Sequence, residues 1–225
     1  MKETIHNPNQ FLSTTPFSGE PIKPIQDILT LLNVFKEEST RVTLSPGNVL
    51  LPYDKNGHAL CYMLNEGNLA IVREKERLIL GNATAPMVLG LIGCTQQKIA
   101  HIYRVETPCT LEVIKASVTE RILSQQNLWR EASQIFAYNI SLLLFRDALL
   151  FGKNAYPAIR ALLITLNHNP QLAKEKLSIS QYVQQRTKYS RSIIMKILSE
   201  LKEGGYIETT NGKLISIKKQ LPEDY

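Results

Sequence analysis

Cysteine is scarce in this 225-residue chain, and long apolar runs are absent. Its three cysteines, Cys61, Cys94 and Cys109, are odd in number, far apart and outside any CxxC spacing, so neither a disulfide framework nor a zinc site is signalled. The four histidines, His6, His58, His101 and His168, include no pair at helix spacing for a haem or a metal, and no cofactor is expected. No stretch of ~18 apolar residues is present to span a bilayer. The opening "MKETIHNPNQFLSTTPFSGEPIKPI" is too polar and too proline-punctuated for a signal peptide. A cytoplasmic protein with reduced thiols and no membrane partner is the expectation. Enzymatic signatures are missing as well: there is no nucleophile elbow, phosphate-gripping loop or HExxH pair, and no catalytic residue is assigned.

What the chain does have is polarised charge. Residues 174–219 carry ten Lys and Arg against four Asp and Glu, while the rest of the chain holds sixteen of each sign, so the whole net charge of +6 belongs to this one segment. A basic module beside a neutral one fits a polyanionic partner, because counterions released from phosphates help to drive binding. On charge alone, a merely solvated basic face is the alternative.

The length exceeds the usual single-domain range of roughly 100–150 residues, so two domains are plausible. Residues 40–118 read as short strands: "HIYRVE" and "TLEVIKA" alternate apolar with polar, and "SPGN" and "NEGN" signal turns, as in a small antiparallel barrel or sandwich. Ser117 or Thr119 can cap a helix over 119–126. "NLWREASQIFAYNISLLLFRDALLFG" then forms a long helix closed by Gly152. That helix has two apolar lines, Leu128, Ala132, Ile135, Asn139, Leu142, Arg146, Leu149 and Trp129, Phe136, Ile140, Leu143, Leu150. One line suffices to cover its own domain; the second points to a partner helix across a two-fold axis, hence a homodimer with Asn139 and Arg146 fixing register, the alternative being that both lines are buried within one chain. A further helix, "AIRALLITLNHN", ends before Pro170.

From Leu177 the order of elements is more specific than any one of them. Ser178 or Ser180 can cap a short helix to about Arg186; "TKY" makes a tight turn; Ser190 caps a second helix with Ile193, Ile194, Ile197, Leu198 and Leu201 as its buried stripe; and Gly204-Gly205 ends it. "YIET", Asn211-Gly212 and "KLISIKK" follow as a two-stranded wing. Helix, short turn, helix is the unit that places its second helix in a DNA major groove. Arg191 can make bidentate bonds to guanine, Ser190, Ser192 and Lys196 lie away from the isoleucine stripe, and Thr187, Lys188, Tyr189 and Lys213 suit phosphate contacts.

"VQQRTKYSRSIIMKILSEL" followed by "GGYIE" and a wing resembles the winged helix-turn-helix of the Crp/Fnr superfamily of bacterial transcription regulators. "QQNLWREA", "QRTKYSRS", "GKLISI" and "LPEDY" are similar to a smaller group within it, described as inhibitors of hydrogen peroxide resistance. The resemblance implies an α+β protein: an N-terminal extension (1–24), a cyclic-nucleotide-binding-like antiparallel β-barrel, or jelly roll (25–118), a long dimerisation helix (119–152) and a C-terminal winged helix-turn-helix (153–225). It implies three partners: a double-stranded DNA operator, a second copy of the chain and RNA polymerase. It also implies that Arg191 and Ser192 face bases while Ser190 and Lys196 support the helix start and backbone contacts.

Departures from the superfamily pattern bear on control. Nucleotide-binding members carry Gly-Glu-Leu-Gly and Arg-Ser where this chain has Gly90-Leu91-Ile92-Gly93 and Lys98-Ile99, so the ribose acceptor and a phosphate donor are lost. Control by cyclic nucleotide is not expected, although Lys98 could meet another anion. The N-terminal cysteine cluster of the iron–sulfur members is missing too. A peroxide connection makes Cys94 the first and Cys109 the second candidate for a redox thiol, with a buried, inert thiol as the competing reading. A functional alternative keeps the sensor but gives the winged module a protein partner instead of DNA.

Overall fold

The alternating patterns of the first half pair into eight antiparallel strands. A computed structural model describes residues 21–95, 98–150, 154–168 and 177–223. The extension up to residue 20, Gly152 and Pro170 lie outside the described residues, as do the side chains of Leu149 and Leu150. Strands β1 (Thr40–Leu44), β3 (Leu60–Glu66), β6 (Met87–Leu89) and β8 (Cys109–Lys115) form one sheet in the order β1-β8-β3-β6. Strands β2 (Val49–Leu50), β4 (Asn68–Arg73), β5 (Leu78–Thr84) and β7 (Ile102–Val105) form another in the order β2-β7-β4-β5.

The strands do not close into the expected barrel. Closure requires each strand to bond on both sides, yet β1 pairs only with β8, β6 only with β3, β2 only with β7 and β5 only with β4. Both sheets are open. One edge of each sheet is short, β2 with two residues and β6 with three, while the other edges, β1 and β5, have five and seven. Cys61, Met63, Leu64, Leu111 and Ile114 of one sheet and Leu69, Ala83, Tyr103 and Val105 of the other share a single core.

Helix α1 (Ile25–Phe35), which the strand-centred reading of the sequence passes over, buries Ile28, Leu31, Leu32 and Phe35 in the same core. Its spacing of i, i+3, i+4, i+7 is the signal that could have found it. Helix α2 (Ala116–Gln125) starts directly after β8, three residues earlier than predicted, and α3 (Trp129–Leu150) follows. Ala132 and Ile135 of the first predicted line of α3 are fully buried against the β half. Ile140, Leu143 and Leu144 are at least half exposed in the single chain. No helix among the described residues is long and apolar enough to cross a membrane.

A separate core serves the C-terminal module. Tyr156, Ile159, Leu163 and Leu166 of α4 (Tyr156–His168) pack with α5 (Ile179–Gln184), α6 (Arg191–Glu203) and strands β9 (Ile207–Thr210) and β10 (Lys213–Ile217). The module also touches the β half. Ile79 N–H donates to Gln185 O at 2.8 Å, and the buried Arg186 donates through Nη2 to Asn82 Oδ1 at 3.0 Å.

Candidate nucleic-acid interface

The module's geometry begins with two serines. Ser178 caps α5 in a reciprocal box: its Oγ accepts from Gln181 N–H at 3.3 Å, and Gln181 Oε1 accepts from Ser178 N–H at 2.9 Å. Ser180, the other candidate cap, is instead buried. Arg186 and Thr187 close the end of α5 by donating their N–H groups to Val183 O. Ser190 opens α6, its Oγ accepting from Ile193 N–H at 3.4 Å, while Ser192 Oγ lies 2.9 Å from Ser190 Oγ. Gly204 forms the helix end.

One face of α6 anchors and the other is presented. Ile194, Ile197, Leu198 and Leu201 are buried. Ile193, placed in the stripe by periodicity, is 45% exposed on the first turn of α6. Arg191, Ser192, Met195, Lys196 and Ser199 form the exposed side. Met195 and Ser199 were missed from the sequence; their i+3 and i+7 spacing from Ser192 would have flagged them. The wing turns at Asn211 (φ 52°) and Gly212 (φ 75°), two successive left-handed residues as a tight type I′ hairpin requires. Gly212 O accepts from Ile179 N–H at 2.8 Å, which ties the wing tip to the start of α5.

The structure sorts the predicted contact residues. Lys188 and Arg191 are exposed and have no hydrogen-bond or ion-pair partner among the described residues. Lys196 Nζ stands 4.0 Å from Glu200 Oε1, a loose surface pair. Lys213 is half-buried at the start of β10. Thr187 faces inward, its Oγ1 donating to Val183 O at 3.0 Å, and Tyr189 packs partly against the module core. Arg186, one of the ten basic residues of the segment, is withdrawn from the surface: its guanidinium lies 3.7 Å over the Tyr182 ring and donates to Tyr182 O and Asn82.

In the β half, the turn Gly90 to Gly93 is filled with apolar side chains. Leu91 is buried in the main core, and Gly90 takes φ +81° where a Cβ would meet Leu60 O at 2.4 Å. Ile99 is buried with its N–H donated to Tyr53 OH at 2.9 Å, and Lys98 is exposed. Cys94 is buried with Sγ 3.9 Å from Cys61 Sγ, a contact across 33 residues of sequence that no spacing rule signals. Cys109 is buried elsewhere, donating to Thr107 O at 3.1 Å and Asn68 O at 3.5 Å. Among the described residues, no group of three or more His, Cys, Asp or Glu could hold a metal ion.

A family model described as winged helix-turn-helix DNA binding matches residues 155–223, the segment that carries α4, the two capped helices and the wing. The inhibitor of hydrogen peroxide resistance of Salmonella typhimurium is 31% identical over 206 residues, covering 90% of this chain and 98% of that protein. Its namesake in Escherichia coli K12 is also 31% identical, over 91% of this chain and 98% of that one. The chain belongs to this family. The fold is shared with solved Crp/Fnr-family proteins, and residues 155–223 carry the winged helix-turn-helix DNA-binding match. In fold it is similar to the c-di-GMP-responsive global regulator CLP of Xanthomonas campestris, with a TM-score of 0.65 at 17% identity, over 85% of this chain and all of that one. A Crp/Fnr-family protein of Eubacterium rectale reaches 0.68 at 12% identity, over 88% and 94%.

Proposed function

We propose that this Crp/Fnr-type regulator binds a two-fold operator as a homodimer, with α6 of each copy in a major groove. The observation that carries this reading is Arg191, exposed and without a partner on the first turn of a helix whose cap and core are complete. There its guanidinium can reach guanine O6 and N7, with Ser192 beside it at the base edges. Ser190 and Lys196 support the helix start and the adjacent backbone. Lys188, Tyr189 and Lys213 position phosphates around it. Thr187 contributes from inside, holding the turn through Val183 O.

The exposed Ile140, Leu143 and Leu144 support pairing of α3 with its copy. The functional division proposed with it is an extension at 1–24, a sensor-like β unit at 25–118, a dimerisation region at 119–152 and a DNA-binding unit at 153–225. Buried Leu91 and Ile99 in place of polar ligand contacts favour control by something other than cyclic nucleotide. The name shared by the relatives supports a link to the oxidative-stress response; a cytoplasmic location and RNA polymerase as a further partner belong to the same proposal. Genome-wide footprinting of the tagged protein tests the proposal. Two-fold sites with half-sites about one helical turn apart are expected; occupancy no different from an untagged control would refute it.

A further inference from the structure

We infer that Cys61 and Cys94 form a dithiol redox site, which a small hydroperoxide converts to an intramolecular disulfide while Cys109 remains a thiol. The two sulfurs stand 3.9 Å apart with both side chains buried. Cys61 lies on β3, opposite Ile114 of β8, and Cys94 lies on the short helical turn Leu91–Thr95 that packs over it. A disulfide needs the sulfurs to close to about 2.05 Å, a movement of roughly 2 Å that side-chain rotation and a slight shift of the turn can supply.

The surroundings also favour chemistry over inert packing. The Cys94 thiol has two acceptors in reach, Cys61 Sγ and Ala116 O at 3.4 Å. Donation from Cys94 holds the Cys61 thiol below its ordinary pKa, with Thr119 adding to the effect and burial opposing it. The same contact, with burial, pushes Cys94 well up. Cys61 is therefore the better thiolate and Cys94 the proton donor and resolving thiol. Burial selects the oxidant, since only a small neutral molecule can approach a sulfur with no exposed surface.

The sequence of bonds balances. The Cys61 thiolate attacks one peroxide oxygen: an S–O bond forms, the O–O bond breaks, and the leaving oxygen takes protons to depart as water. Cys61 is then a sulfenic acid. Cys94 sulfur attacks it, forming the S–S bond and breaking S–O, and a second water leaves. Two thiols are oxidised by two electrons as one hydrogen peroxide is reduced to two waters.

Cys109 offers no such partner. It starts β8, at the end of the strand opposite to Ile114, and its thiol donates to two backbone carbonyls. Burial pushes its pKa up. A Cβ on Gly67 would stand 2.5 Å from its sulfur, which marks this thiol as close packing.

The test uses the full-length reduced protein, treated with excess hydrogen peroxide, then denatured, alkylated and analysed by intact and peptide mass. The expected product is about 2 Da lighter, carries a linked peptide joining Cys61 to Cys94, and is alkylated only at Cys109. Addition of a thiol reductant restores alkylation at all three. In Cys94→Ser the reaction should stop at a Cys61 sulfenic acid that dimedone traps. The inference is overturned if Cys61 and Cys94 of the wild-type chain alkylate as fully after peroxide as before it, or if the linked peptide contains Cys109. The wild-type result needs no variant to fold, and it stands apart from the DNA-binding reading because no DNA enters the assay.

Discussion

In the β half, the reactive side chains point inward: all three thiols, Tyr62, Tyr103 and Glu112 are buried. Burial there pushes the Tyr62 phenol up to about 12, so it stays a neutral donor to Leu51 O. The C-terminal module also buries polar groups, Ser180, Arg186 and Thr187, but it differs in what it presents: Lys188, Arg191, Ser192 and Lys196 stand exposed around the start of α6. A polyanion can be met only by the second kind of surface, because phosphates keep their charge and their water until cations on a surface replace it. Only small molecules can reach the first. The two halves therefore suit different partners, and the residues that join them, Arg186, Asn82, Ile79 and Gln185, lie at the seam.

The largest effect expected from dividing the halves is on stability. Leu201→Ala removes a fully buried side chain from the module core and should cost about 2–5 kcal/mol. Loss of helical circular dichroism should then precede the fluorescence transition of Trp129, which lies on α3. If Trp129 shifts equally, the halves unfold as one unit and the contrast is weaker than drawn. Leu143→Arg on the exposed side of α3 should cost the dimer about 2 kcal/mol or more, read by sedimentation, while leaving the monomer folded. Arg186→Ala cuts the bonds to Asn82 and Tyr182 and should destabilise the seam by about 2 kcal/mol, seen as faster amide exchange at Ile79. Ser190→Ala, which removes the α6 cap, should cost about 1 kcal/mol.

The module was the more legible half because its signals are local. Ser190, the Gly204-Gly205 stop and Asn211-Gly212 each act within a few residues, and each stands where its chemistry places it in the structure. The β half is built from long-range pairing, which sequence shows poorly. Alternation revealed strands but not that β1 and β6 would remain unpaired edges, so a barrel was expected where two open sheets formed. The Cys61–Cys94 contact joins β3 to a turn 33 residues away, and no spacing rule reaches that far. Arg186 was counted with the basic surface because charge composition carries no direction; its place over Tyr182 depends on where β5 arrives. Thr187 was read as a phosphate ligand for a similar reason, since its bond to Val183 O appears only once α5 ends.

The most direct test of the central claim is a fluorescence titration of the operator, and of an unrelated duplex, with Arg191→Ala and Lys188→Ala across a range of salt. The account predicts that Arg191→Ala weakens operator binding by about 1–3 kcal/mol and leaves the unrelated duplex nearly unaffected. Lys188→Ala should weaken both duplexes together and flatten the salt dependence. Unchanged operator affinity for a folded Arg191→Ala protein would contradict the account.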